Sequence, residues 1–303
     1  MRARTSVLAL IVVLAGSACG AGEKGDDLPE SLTRVVLEAT DAATVSKSEL
    51  DLSIVIMNQR LQKLHVKDPD LARDGKRIAL IAPTVAIERS LPVLLRPGRL
   101  EFFDLQGDLT GPSLDAQGFP VASTKPLSPR PNTVVVTCGP KARYCPGVPE
   151  EPRRTNYYLF KYDPDNKDPI PEMTGADLEL EGTRQDFDSN TGEPIVLFAF
   201  TKDGARKFRD ITLTLAERGR AVHNRLGADP ETSFQQFAIV LDRALYSAPT
   251  IDYNENPAGI PGDDGAQITG IGSVEDAKEL ALILQTGALP LTLRVVSREE
   301  RHK

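Results

Sequence analysis

Residues 32–64 read LTRVVLEATDAATVSKSELDLSIVIMNQRLQKL, and the change of period inside this stretch decides the fold class. Leu32–Ala39 is a short candidate strand. From Ser46 onward, Leu50, Ile54, Met57, Leu61 and Leu64 recur at spacings of three and four, which puts them on one face of a helix. Ser46 or Ser48 supplies the N-cap. The plain meaning of such a stripe is core packing. Working outward, KRIALIA (76–82) is a strand ended by Pro83. Residues 85–95 carry a weaker helical pattern broken by Pro92, and RLEFFDL (99–105) is a further strand. The order β-α-(β)-β-α-β predicts an α+β fold, a ferredoxin-like sandwich with helices on one face of an antiparallel sheet.

Downstream, 106–133 is rich in Gly, Pro and Ser and reads as a loop or boundary. TVVVT (133–137) and residues 157–162 are extended, and DPDNKDPIPE (163–172) is loop. The last third is better patterned. Ile195–Phe200 is a strand, and Thr201 caps a helix running to about Arg218. Phe237–Leu241 is a strand with Ser247–Tyr253 as a candidate partner, and Ala266–Thr269 is short and extended. Ser273-Val-Glu-Asp276 has the form of a capping box and opens a helix that Gly287 closes. Leu291–Val296 is the final strand.

The chain has 303 residues, 40% apolar and 26% charged, with a net charge of −7. That supports a buried core and argues against a nucleic-acid surface, which needs clustered cations. Residues 1–18, MRARTSVLALIVVLAGSA, have the order of a secretory signal: two arginines, an apolar run too short to span a bilayer, then small residues. Cys19 follows Ala15-Gly16-Ser17-Ala18, a sequence that resembles the lipobox of bacterial lipoproteins except for Gly16. Cys19 is therefore the expected lipid attachment point, with membrane anchoring through it; an ordinary cleavage site after Ala18 is the alternative. Residues 19–32 form a flexible tether.

Cys138 and Cys145, at a Gly/Pro-rich turn of an exported chain, are expected to form a disulfide. A metal site there lacks ligands, since His65 and His223 are far off in sequence. Gly270-Ile-Gly272-Ser273 precedes a helix, but the third glycine of a nucleotide fingerprint is missing, so it reads as a turn and cap. His223 follows Arg218 and Arg220 near a helix end and reads as solvated. No G-x-S-x-G, H-E-x-x-H or P-loop occurs, and any pair of carboxylates chosen as acid and base is arbitrary. The expectation is a protein with no catalytic residues, no metal and no cofactor.

TGADL (174–178), GEPIVLFAFTKDGARKF (192–208), FAIVLDRALYSAPTI (237–251), AQITG (266–270) and EDAKELALILQTGALPLTLRVV (275–296) stand in one order. Together they resemble the large extracytoplasmic domain of SecD, a subunit of the bacterial SecDF protein-export complex. MNQRLQKLHVKDPDLARDGKRIALIAP (57–83) and GRLEFFDL (98–105) resemble its first part less closely, and 106–173 matches poorly.

The resemblance implies a ferredoxin-like base, 33–105 and 271–303, with an inserted α+β head over 106–270. It implies that the head engages unfolded exported polypeptide beside SecYEG or SecDF, outside the cytoplasm, as a binding module that assists export. Phe237, Ile239 and Leu241 share one strand face. Core packing is their plain reading, and a groove where an extended polypeptide adds to a sheet edge is the functional one. Family members continue into membrane helices that couple to protons, whereas this sequence stops at Lys303, so it is not expected to be a proton-driven motor by itself. An envelope-scaffold lipoprotein that keeps the fold without an export role is the alternative.

Overall fold

The computed structural model describes residues 31–301 apart from 42–43, 112, 115–119, 141, 143, 149–151 and 228. The signal sequence, nearly all of the tether and Cys19 lie outside the described residues. The chain runs β1 (Leu32–Ala39), α1 (Lys47–Lys63), β2 (Asp70–Asp74), β3 (Arg77–Pro83), α2 (Thr84–Leu94), β4 (Leu100–Asp104), α3 (Leu105–Asp108), β5 (Leu109–Gly111), β6 (Ser113–Leu114), β7 (Pro120–Val121), β8 (Thr133–Cys138) and β9 (Asn156–Lys161). It continues through β10 (Met173–Thr174), β11 (Leu178–Phe187), β12 (Pro194–Phe200), α4 (Lys202–Leu226), α5 (Pro230–Ser233), β13 (Gln235–Leu241), β14 (Ala244–Ser247), β15 (Thr250–Ile251), β16 (Ala266–Ile268), α6 (Val274–Thr286) and β17 (Leu293–Arg301).

β1, α1, β2, β3, α2 and β17 build a ferredoxin-like base. Its sheet has the order β17-β1-β3-β2, and every neighbouring pair is antiparallel. Ser46 accepts from the Glu49 N–H while the Glu49 carboxylate accepts from the Ser46 N–H, closing a capping box on α1. The stripe Leu50, Met57 and Leu61 is buried and packs on Val35, Leu37, Ile78 and Leu80 of the sheet. Pro92 lies inside α2 rather than ending it. Its ring removes one N–H, but Ile87, Val93 and Leu94 are buried on either side and hold the last turn in place.

Most of the chain between α2 and β17 is an insertion with its own cores. Its larger sheet has the order β10-β4-β13-β14-β8-β9-β5, and a smaller one the order β11-β12-β16. α4 and α6 close one core against β12, β13 and β4. On the opposite face of the larger sheet, Phe103, Val136, Tyr158, Phe160 and the buried pair Cys138 and Cys145 form a second.

Two segments sit elsewhere than the sequence suggests. Arg99–Leu105, expected to close the base, supplies β4, which pairs with β13 on one side and β10 on the other. All five of its residues are buried, Phe102 in one core and Phe103 in the other. A strand covered on both faces lacks the alternation of a half-exposed one, and LEFFD carries no sign of which sheet owns it. Residues 271–303 are likewise expected in the base, yet α6 packs Ala277, Leu280 and Leu284 into the core of the insertion. Only Leu289, Leu291 and Leu293 join the core of the base. By core membership the base is 32–95 with 289–301, and the head is what lies between.

Smaller differences have local causes. β13 turns through Asp242 and Arg243, both left-handed (φ 51° and 66°), so its hairpin partner already begins at Ala244–Ser247, and Thr250–Ile251, within the expected 247–253 segment, pairs with the start of β13 at Gln235 and Gln236. α4 continues past Arg218 because Leu215, Ala216 and Gly219 extend its buried face, and Gly227 (φ 61°) terminates it.

Candidate functional site

Phe237, Ile239 and Leu241 share a face as expected, but that face is interior: they are 5%, 2% and 0% exposed. Phe237 sits in an aromatic cluster, 6.3 Å from Phe102 and 5.7 Å from Phe208 between ring centroids. The other face of the same strand, Ala238 and Val240, is buried in the second core. A polypeptide cannot reach a central strand covered on both sides, so these three residues are core and not contact positions.

The same motif supplies a surface further along. Tyr246 to Thr250, just after the turn of the hairpin, line a groove of about 500 Å³ in the head. Gln236, Ile195, Thr269 and Gly270 complete its floor and walls, and Tyr144 stands at its rim, 49% exposed. Tyr144 is placed there by its neighbour. Cys145 is bonded to Cys138 (S–S 1.93 Å), and both sulfurs are buried, which fixes the loop over the end of β8.

Most of the lining is uncharged, and the acid Asp188 has structural work. The Asp188 carboxylate accepts from the N–H groups of Asn190 and Thr191 at 2.8 and 2.9 Å. Those bonds hold its carboxyl below the usual range. Such a surface, with tyrosines, small hydroxyls and an apolar floor, suits adaptable contact with an extended chain better than proton transfer.

A second cluster lies behind the sheet. Arg218 grips Asp104 with two bonds of 2.7 and 2.5 Å, and the Asp104 N–H reaches carboxyl oxygens of both Asp108 and Glu172 at 3.2 Å. Asp108 and Glu172 hydrogen-bond to each other. Burial, reinforced by the neighbouring Asp108, pushes Glu172 up to about 9, and burial also raises Asp108. The pair therefore holds a shared proton at neutral pH, but neither acid lines the groove. Among the described residues no group of three His, Cys, Asp or Glu is arranged to hold a metal ion, and no helix is long and apolar enough to cross a membrane. His223 lies within α4, its ring 6.0 Å from that of Tyr253.

Residues 166–291 match the family model of the SecDF P1 head subdomain. Over 271 residues the chain is 30% identical to the protein translocase subunit SecD of Rhodobacter capsulatus, covering 88% of this chain and 37% of that one. It is also 30% identical over 277 residues to the protein translocase subunit SecDF of Thermus thermophilus, covering 89% of this chain and 30% of that one. A crystal structure of SecDF in a super-membrane-facing form superposes with a TM-score of 0.57 at 26% identity, over 90% of this chain and 30% of that chain. The chain carries a SecD P1-type domain. It spans about a third of the length of these two relatives. A further structure, of a membrane component SecDF that enhances protein export, shares the fold over 87% of this chain and 98% of its own, with a TM-score of 0.54 at 24% identity.

In this SecD P1-type domain the blocks TGADL and KDGARKF are two halves of one contact. Asp177 caps Thr174 (N–H to Oδ2, 2.9 Å), its carbonyl accepts from the Thr201 N–H at 2.9 Å, and its other carboxylate oxygen takes Lys207 at 2.7 Å. Gly204 makes the approach possible, since a Cβ there would lie 2.1 Å from the Asp177 oxygen. The glycine and the aspartate thus dock the start of α4 against the loop that leads into β11.

Proposed function

We propose that this protein is an extracytoplasmic, membrane-tethered SecD-like module that binds unfolded exported polypeptide and assists the Sec translocon. The reading is supported by one observation above the others: the head carries an open groove of about 500 Å³ lined mostly by uncharged side chains, many of them hydroxyl-bearing or aromatic, and apart from Tyr144 its lining lies within residues 166–291, which match the SecDF P1 head. Unfolded chains present no fixed shape, so a receptor for them needs adaptable polar contacts and an apolar floor rather than a deep shaped pocket. Tethering through an acylated Cys19 keeps the head near the membrane where a chain emerges. The partners in this reading are the exported chain and SecYEG or SecDF.

A photoreactive residue at Tyr144 or Thr250 in the full chain, activated in secreting cells, tests it. Adducts with unfolded secretory precursors or Sec components are expected from these positions and not from Leu52, an exposed position on the base. Adducts equal at all three sites, or none with exported chains, sink the reading. A mass spectrum of the mature N-terminus tests the anchor separately: an unmodified Cys19 removes the tether and leaves the groove untouched.

A further inference from the structure

Only two stretches of chain join base and head: the exit after α2 and the return after α6. They run side by side, with the Leu289 N–H donating to the Pro97 carbonyl at 2.7 Å. Behind them lies Arg60, on the buried face of α1 and 0% exposed. Its Nη1 reaches the carbonyls of Val93, Leu94 and Arg96 at 3.1, 3.3 and 2.5 Å. Its Nη2 donates to the Gly287 carbonyl at 2.9 Å, and its Nε to the Thr286 hydroxyl at 3.2 Å.

These acceptors are the C-terminal ends of two helices, one leading out of the base and one leading back into it. A guanidinium there satisfies orphan carbonyls and sits at the negative ends of both helix dipoles. Its hydrogen bonds go to backbone carbonyls and one hydroxyl, none to a carboxylate. Burial pulls its pKa down to about 10, so it stays charged at neutral pH.

The exit is also fixed from the head side. Arg96 pairs with Glu279 of α6 at 2.8 Å, donates to the Tyr246 hydroxyl at 3.1 Å, and lies 3.5 Å from Asp242. Gly98 (φ 76°) leaves no room to spare: a Cβ there would meet Ile283 at 2.7 Å and the Arg60 Nη2 at 3.0 Å.

From these contacts we infer that Arg60 is a clasp that sets the angle between base and head, with Arg96 as its counterpart on the head. A buried cation held by carbonyls from both crossings is fully satisfied in one geometry and in few others, because any swing of the head that pulls α6 away takes the Thr286 and Gly287 acceptors from its Nε and Nη2 and leaves those N–H groups buried and unpaired. The clasp is a positioning device: it touches nothing in the groove and stands on the crossings alone, whatever the groove binds.

Spin labels on a ketone-bearing amino acid at the exposed positions 52 and 226 in the full chain read the base-to-head distance. Arg60→Met, which keeps an unbranched apolar stem and loses every hydrogen bond, is expected to widen the distance distribution by about twofold or more and to speed amide exchange at Leu289 by about tenfold. β1 and β13 should keep their protection, and Arg60→Lys should restore part of the narrow distribution. If Arg60→Met does not fold, Arg96→Gln, on a side chain already 28% exposed, is expected to widen the same distribution. A narrow distribution in the variants that fold overturns the clasp. So does faster exchange spread evenly over the base, which marks a merely structural arginine.

Discussion

Replacing Gly204 by Ala separates intrinsic helix preference from tertiary contact, because the two predict opposite signs. Gly204 lies in the first turn of α4, and Ala is favoured over Gly inside a helix by about 1 kcal/mol. In the folded head, however, the new methyl would lie 2.1 Å from the Asp177 carbonyl oxygen and 3.1 Å from the Asp177 Cβ. To reach ordinary contact the Asp177 backbone must retreat by about 1 Å. That movement strains the bond from the Thr201 N–H at 2.9 Å and draws the Asp177 carboxylate away from Lys207, now at 2.7 Å. Overpacking costs about 1–3 kcal/mol and the weakened buried hydrogen bond about 1 kcal/mol more, so the net expectation is a loss of about 2 kcal/mol. Urea denaturation should show a lower midpoint with an unchanged slope, and exchange at the Thr201 amide should accelerate. Thr214→Ala, on the exposed side of the same helix, is the control that should be neutral or slightly stabilising. A Gly204→Ala protein as stable as its parent refutes the docking argument, whatever the family resemblance of the two motifs.

Other expectations follow from the same packing. Phe237→Ala should cost about 3–5 kcal/mol by denaturant midpoint, since a ring 5% exposed is lost from an aromatic cluster; a variant of normal stability with weakened polypeptide crosslinking would restore it as a contact residue. Glu172 has a folded pKa of about 9, above its unfolded value, so it holds a proton the unfolded chain has released. Its contribution is full below pH 4.5 and is lost as pH rises toward 9; Glu172→Gln should therefore flatten the fall in stability over that window, measured as midpoint against pH, and an unchanged slope refutes the assignment. Replacing both Cys138 and Cys145 by Ala should lower stability by about 2–3 kcal/mol for so short a loop, and should weaken crosslinking from Tyr144 more than from Thr250.

Local pattern alone reached far into this protein. The stripe of α1 and the strand 76–82 were legible as parts of a ferredoxin-like base, because a half-buried element writes its period into the sequence, but the strand that closes the base is β17 and not the 99–105 strand that the order of elements offered. Ser46 and Ser273 cap their helices through neighbours three residues away, so both caps are legible locally. Ownership of a buried segment is not. Phe102 and Phe103 announce a strand covered on both faces without naming its partners, which are β10 and β13, about 70 and 140 residues downstream. The shared face of Phe237, Ile239 and Leu241 was legible, but periodicity gives a direction and not what stands in that direction; α4 and α6 do.

The groove drew little notice in the sequence because its lining comes from the disulfide loop, the 188–193 turn and the segment after β13, each ordinary by itself. Arg60 is the sharpest case. The helix period places it beside Met57 and Leu61 on the apolar stripe, where a cation looks misplaced. Its acceptors are backbone carbonyls of residues 93–96 and 287, which have no side-chain signature, so only the folded chain could bring them to it.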